Sequence, residues 1–218
     1  MNINNFSPDT HVFLWDLHEV ILEKDRSQWL KKFLQFNRKW ELIRKLNKKS
    51  LAIFFTFVLE KLKFTKKQMV SEELAIAARA TNNEALVDLI TDICSTYVPI
   101  QETVQILHDL SAAGYTHHLG SNIGKTVFDN CLVKFPTIFG MFTGHSIPFT
   151  ASTTKMVKKP NPDFFTTHLQ KYNLQPHHVI FIDDKLINVE AAQSVGIHGI
   201  QFKNSQQLRN ELKKLTIF

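Results

Sequence analysis

Cysteine is scarce: Cys94 and Cys131 are the only two among 218 residues. Two thiols exclude a disulfide framework and, with no histidines at ligand spacing, a structural zinc site. Such usage fits a reducing compartment, so a cytoplasmic location is expected. Long apolar runs are missing too. The most apolar stretch, Leu51–Leu59 (LAIFFTFVL), falls far short of the roughly 20 residues that span a bilayer. It reads as a buried helix segment, and no membrane partner is expected. Residues 1–6 carry neither the basic start nor the apolar stretch of a signal peptide. Glycine and proline are both absent from residues 22–98. That excludes turn-rich β-structure there and leaves Leu, Lys, Glu and Ala to form helix.

What is present allows a sizeable core, as one domain or as a domain with an insertion. The net charge is +6 but unevenly spread. From Lys31 to Lys67 twelve Lys or Arg face only Glu41 and Glu60, a local excess of +10 against −4 elsewhere. This block reads as the solvated face of a helical segment, or as a field steering an acidic substrate. Nucleic acid is not expected, because no recognition motif accompanies the block. Trp29, Phe33, Phe36 and Trp40 fall at helical spacing and suit a buried face, as Leu59, Leu62 and Met69 do more loosely.

Beyond Pro99 the pattern alternates between helix and strand. An amphipathic helix runs from Pro99 to Gly114, and a short strand from His117 to Gly120. A helix from Thr126 to Val133 and a strand from Ile138 to Thr143 follow. Lys159-Pro160-Asn161-Pro162 opens a helix reaching Tyr172. Strand 179–182, helix 186–195, strand 197–202 and helix 206–215 complete the order. Strands alternating with helices predict a mostly parallel sheet. His117, His118, His177 and His178 read as strand ends and loop surface.

Two apolar strands end in acid. Val12-Phe13-Leu14-Trp15 runs into Asp16, and Val179-Ile180-Phe181-Ile182 runs into Asp183-Asp184. A carboxylate at the mouth of a buried strand is costly unless a partner holds it. Open α/β sheets bind ligands at the carboxyl ends of their strands. Three carboxylates gathered there need a cation, and all-oxygen ligation suits Mg²⁺. The pattern points to metal-assisted phosphoryl chemistry.

Four motifs occur in order: VFLWDLHEVIL, LGSN, KKPNPDFF and VIFIDDKLINVEAA. In this they resemble the haloacid dehalogenase-like (HAD) hydrolase superfamily, subfamily I, with a helical C1-type cap inserted after the first motif. The resemblance implies a Rossmann-like three-layer α/β/α sandwich, with residues 1–21 and 96–218 as core and 22–95 as helical cap. It implies that Asp16 is the nucleophile, that Ser121 and Asn122 bind phosphate, and that Lys159 neutralises both the phosphate and Asp16. Mg²⁺ would be held by Asp16, the His18 carbonyl, Asp183 and Asp184, with Asp184 as the direct ligand and Asp183 partly water-mediated. Asn188 and Glu190 are expected to orient the loop or face solvent.

The resemblance fails at two positions. Most phosphatases of the family carry a second Asp, the general acid, where this chain has His18. The next position, commonly Gly, is Glu19. An imidazole titrating near 6.5 suits proton donation near neutrality, so His18 is the substitute acid expected here. The expected function is Mg²⁺-dependent hydrolysis of a small phosphate monoester, such as a sugar phosphate, through an aspartyl-phosphate. The alternative is a weak or inactive relative that binds a phosphorylated ligand or a protein. Carbon–halogen hydrolysis uses the same nucleophile without metal, and the Asp183-Asp184 pair argues against it.

Overall fold

Val12–Trp15 form β1, the central strand of a five-stranded sheet. All four residues are buried, as expected for an interior parallel strand covered on both faces. Strands β4 (Thr116–Gly120) and β6 (Val179–Asp183) flank it in parallel, with Val12 opposite Thr116 on one side and Val179 on the other. Strands β5 (Phe142–Ser146) and β7 (His198–Gln201) form the edges, giving the order β5-β4-β1-β6-β7. This computed structural model describes residues 6–61, 77–94, 96–147 and 157–218.

Alternation along β1 divides the core. Leu14 packs with Phe164, Phe165, Leu169, Phe181 and Ala192, which come from β6 and from helices α8 (Pro162–Lys171) and α9 (Leu186–Gln193). Phe13 and Trp15 point the other way, Phe13 meeting the Tyr115 ring at 5.2 Å. Helix α8 starts where the sequence says it should. Pro162 takes the first turn, and the Asn161 side chain accepts from Asp163 N. Helices α5 (Gln101–Ala112) and α10 (Ser205–Lys214) join through Thr103 and Ser205, whose hydroxyls lie 2.9 Å apart, and through Arg209 and Asp109. The architecture is the α/β, Rossmann-like sandwich.

Two compact units divide the chain. One comprises Met1–Glu23, Val98–Asn122 and Phe135–Phe218; the other comprises Lys24–Tyr97 and Ile123–Lys134. The short strands β2 (Leu22–Lys24) and β3 (Tyr97–Pro99) pair where the chain passes between them. The second unit holds α1 (Arg26–Gln35), α2 (Lys39–Arg44), α3 (Lys48–Lys61), α4 (Glu84–Cys94) and α6 (Lys125–Lys134). The sequence pattern places α6 in the core. Its apolar stripe Val127, Phe128 and Cys131 is instead buried within the second unit, where α6 packs on α4.

Several expectations are corrected. Residues 138–143 are not one strand. Pro136 initiates the short helix α7 (Pro136–Phe139), Gly140 caps it, and β5 begins only at Phe142. Trp40 is not buried but 77% exposed. The LAIFFTFVL run is helical but not wholly buried, for Leu51 is 41% and Phe55 55% exposed. Eight apolar residues in a run of nine encircle a helix, so one side faces outward when neighbours cover only the other. Leu62, Met69 and the side chains of Trp29, Phe33 and Leu59 lie outside the described residues. His117 and His118 are buried rather than on the surface, because β4 is an interior strand.

Candidate active site

Asp16 follows the last residue of β1 and continues its ladder, its N–H donating to Ile182 O at 2.8 Å. The carboxylate is buried, and Leu17 N donates to its Oδ1 at 2.7 Å. Residues 17–22 fold tightly beside it. Ile21 N and Leu22 N both donate to Leu17 O, and Glu19 N donates to Leu22 O. This turn puts Glu19 at φ +63°, a left-handed conformation that disfavours any residue with a Cβ. His18 Nε2 lies 3.5 Å from Glu19 Oε1 at the partly open side.

β6 delivers the other two acids, and Lys159 joins them to Asp16. Lys159 is 3% exposed, with Nζ 3.1 Å from Asp16 Oδ1 and 2.6 Å from Asp183 Oδ2. Its nitrogen also lies 5.2 Å above the Phe181 ring. Asp183 accepts further from Lys185 N at 2.8 Å and from Asn188 Nδ2, which reaches both carboxylate oxygens at 2.9 and 3.0 Å. Asn188 is thus the residue the sequence reading left outside the site. It sits on the first turn of α9, five residues after the acid it holds, and only that helical placement could have signalled it.

Burial raises Asp16, but the Lys159 charge and hydrogen bonds from Ser121 and Lys159 outweigh it and hold the carboxyl below its usual value. Burial likewise lowers Lys159, and Asp16 and Asp183 more than restore it. Burial pushes Asp183 upward. Its oxygens nonetheless face four donor contacts, which favour the anion. Asp184 is pushed up to about 6, first by burial and then by the charges of Asp16 and Asp183.

Ser121, just past β4, is 1% exposed and hydrogen-bonds to Asp16, while its N–H donates to Ser146 O. Asn122 has a different task from the expected phosphate contact. Its Nδ2 donates to Lys159 O at 2.8 Å, and its Oδ1 accepts from Lys159 N at 3.0 Å. Both ends of the carboxamide therefore clamp the lysine backbone. Asp16, Ser121, Lys159, Asp183 and Asp184 converge, with His18 beside them and Glu190 exposed to solvent.

A divalent cation suits this donor set. One oxygen each from Asp16, Asp183 and Asp184 lie within 4.8 Å of one another. Among the described residues Asp184 Oδ1 is buried without a hydrogen-bond partner, a costly state that ligation would relieve. One lysine against three carboxylates leaves two negative charges uncompensated. Hard oxygen donors in this number fit Mg²⁺.

The haloacid dehalogenase-like hydrolase family model matches residues 13–202, which span every residue of this cluster. The chain belongs to that family. A sesquiterpene phosphatase of Aspergillus oryzae is 29% identical over 117 residues, 54% of this chain and 57% of that protein. A zebrafish (Danio rerio) phospholysine phosphohistidine inorganic pyrophosphate phosphatase is 43% identical over 53 residues, 24% of this chain and 20% of that one. The HAD chain thus spans under two thirds of either relative. Among solved structures, a HAD-like family hydrolase from Porphyromonas gingivalis superposes with a TM-score of 0.61 at 20% identity, covering 95% of this chain and 98% of that one. A HAD family enzyme from Bacteroides thetaiotaomicron, solved with magnesium and inorganic phosphate, gives 0.55 at 21% identity over 89% and 94%. These likenesses carry the fold. No helix among the described residues is long and apolar enough to cross a membrane.

Proposed function

We propose that this HAD hydrolase is a Mg²⁺-dependent phosphatase that hydrolyses a small phosphate monoester through an aspartyl-phosphate on Asp16. The observation that carries the reading is Lys159 Nζ, buried between Asp16 and Asp183 beside the partnerless Oδ1 of Asp184. The phosphatase names of the two relatives, and the magnesium and phosphate in the Bacteroides enzyme, agree with it.

Lys159 and Ser121 keep Asp16 anionic, hence nucleophilic, at neutral pH. A carboxylate oxygen attacks phosphorus in line, forming the O–P bond of the acyl phosphate as the bond to the leaving alkoxide breaks. His18 donates the proton that the alkoxide takes up. Water then attacks the phosphorus, releasing inorganic phosphate and regenerating Asp16. Lys159 and the Ser121 hydroxyl bind the phosphoryl oxygens and oppose the repulsion between two anions. Mg²⁺ held by Asp16, Asp183, Asp184 and the His18 carbonyl would neutralise the remaining charge. Residues 22–95 serve as the family's cap insertion, and the protein acts in the cytoplasm.

The test is phosphate release from an aryl phosphate, with and without Mg²⁺, beside Asp16→Asn. Metal-dependent turnover lost in the variant is the expected result. Phosphate release indifferent to metal excludes the metal-dependent reading, whereas halide release from a haloacid without metal, in place of phosphate release, would favour carbon–halogen chemistry. The second reading, a binding protein without turnover, draws on His18 and the strained Glu19 beside it. Activity absent across pH 5 to 9, with phosphate binding retained, would select it; unchanged turnover and pH profile in His18→Ala would remove the imidazole from proton transfer.

A further inference from the structure

Within the second unit, five apolar side chains in sixteen residues face solvent: Trp40 (77% exposed), Ile43 (54%), Leu46 (37%), Leu51 (41%) and Phe55 (55%). On α2, Trp40 and Ile43 are three residues apart; on α3, Leu51 and Phe55 are four apart. Each pair therefore shares one side of its helix. Both helices pack on α4, and Leu42 of α2 and Ser50 of α3 are buried. Isolated exposed apolar residues are ordinary, but a run that includes an exposed tryptophan is not.

Cations interleave with these residues. Lys39, Arg44, Lys45, Lys48 and Lys49 are all exposed, and Glu41 is the single acid between residues 38 and 55. Lys48 and Lys49 open α3, whose first turn contains no acid. That end of a helix repels cations, so two lysines there lower helix stability. Arg38 is satisfied inside the unit by Glu41 and Asp88, whereas Lys48 and Lys49 stand outward.

We infer that α2, α3 and the loop between them form a peripheral docking surface for an anionic lipid bilayer. Trp40, Ile43, Leu51 and Phe55 enter the interfacial layer, and Arg44, Lys48 and Lys49 meet the lipid phosphates and carboxylates. An aromatic and aliphatic side flanked by lysine and arginine is the chemistry of interfacial helices. The expectation of no membrane partner rested on Leu51–Leu59 being too short to span a bilayer, a length that peripheral docking does not require.

The test is co-sedimentation of the full chain with phosphatidylcholine vesicles, with or without about 30% phosphatidylserine. Binding to the anionic vesicles that weakens with salt is expected. Lys48→Glu/Lys49→Glu should weaken it at least about tenfold, since each cation near such a surface contributes about fivefold. Trp40→Ser/Phe55→Ser should weaken it comparably, with circular dichroism unchanged in both variants because all four side chains are exposed. The inference is overturned by no sedimentation with anionic vesicles at low salt, or by binding that both variants retain. It is overturned equally if the Trp40→Ser/Phe55→Ser pair dissociates a dimer of the chain, or if single-stranded RNA, and not lipid, is bound through the lysines.

Discussion

Replacing Lys159 by Met keeps a similar volume over the Phe181 ring and removes only the charge. What remains is a pair of buried carboxylates, Asp16 at 6% and Asp183 at 0% exposure, that have lost contacts of 3.1 and 2.6 Å to one ammonium. Breaking a buried ion pair from one side costs about 3–5 kcal/mol, because the abandoned charge stays desolvated. That is a large share of the roughly 5–15 kcal/mol available to a folded domain. Urea unfolding of Lys159→Met in EDTA should show this loss, followed by fluorescence because Trp15 adjoins Asp16. Mg²⁺ should reverse part of it. The ammonium repels any divalent cation on Asp16 and Asp183, so the variant should bind Mg²⁺ about tenfold more tightly. Saturating metal then stabilises the variant by about 1.4 kcal/mol more than the parent, and the gap should narrow to about 2–4 kcal/mol. Phosphatase turnover should vanish in either case. A loss below about 1 kcal/mol in EDTA, or equal Mg²⁺ stabilisation of both proteins, would refute this arrangement of charges.

Asn188→Ala removes the donor to both Asp183 oxygens, and Mg²⁺ affinity by calorimetry should weaken about tenfold or more; unchanged affinity would mean that Lys159 and Lys185 N suffice. Glu19→Gly relieves a left-handed residue at φ +63° and should stabilise by about 0.5–1 kcal/mol, read as a raised urea midpoint at constant slope. Stability should fall on mild acidification. Burial holds His117 and His118 down to about 4 and His168 down to about 3, while the unfolded chain takes up these protons near 6.5. The unfolded state therefore binds more protons between roughly pH 6.5 and 4, and folding weakens throughout that window. At pH 5.5 each histidine contributes about 1.3 kcal/mol of loss, about 4 together. Asp184, raised to about 6, protonates preferentially in the folded state and offsets at most about 1 kcal/mol of it. Equal urea stability at pH 7.5 and 5.5 would contradict the burial of these imidazoles.

The acid-bearing strands were legible because interior parallel strands are continuous apolar runs, and a carboxylate at their mouths stands out against them. Helix α8 was legible through Asn161 and Pro162, whose capping chemistry is local. β5 was not. As an edge strand it lacks an apolar run, and its Gly144 answers a distant demand: a Cβ there would lie 2.9 Å from the His118 ring and from Tyr172. The same limit hid not Asn122 itself but its hold on Lys159, a partner 37 residues away. It also misplaced the histidine pair of β4. As neutral rings they are pairing groups: Trp15 Nε1 donates to His117 Nδ1 at 3.1 Å, and His118 Nδ1 meets His168 Nε2 at 3.1 Å. Trp40 failed for the opposite reason, since helical spacing says which residues share a side but not which side is covered.

The two kinds of residue at the site follow from this difference. Asp16, Asp183 and Asp184 are visible in the sequence because their charge conflicts with the apolar strands that carry them. Asn122 and Asn188 are uncharged and expose no such conflict, yet they fix Lys159 and Asp183. If the asparagines only packed the loop, replacing them would lower stability and leave metal affinity alone. If they hold the charges in place, affinity must fall further than stability does, and the Asn188→Ala titration separates the two.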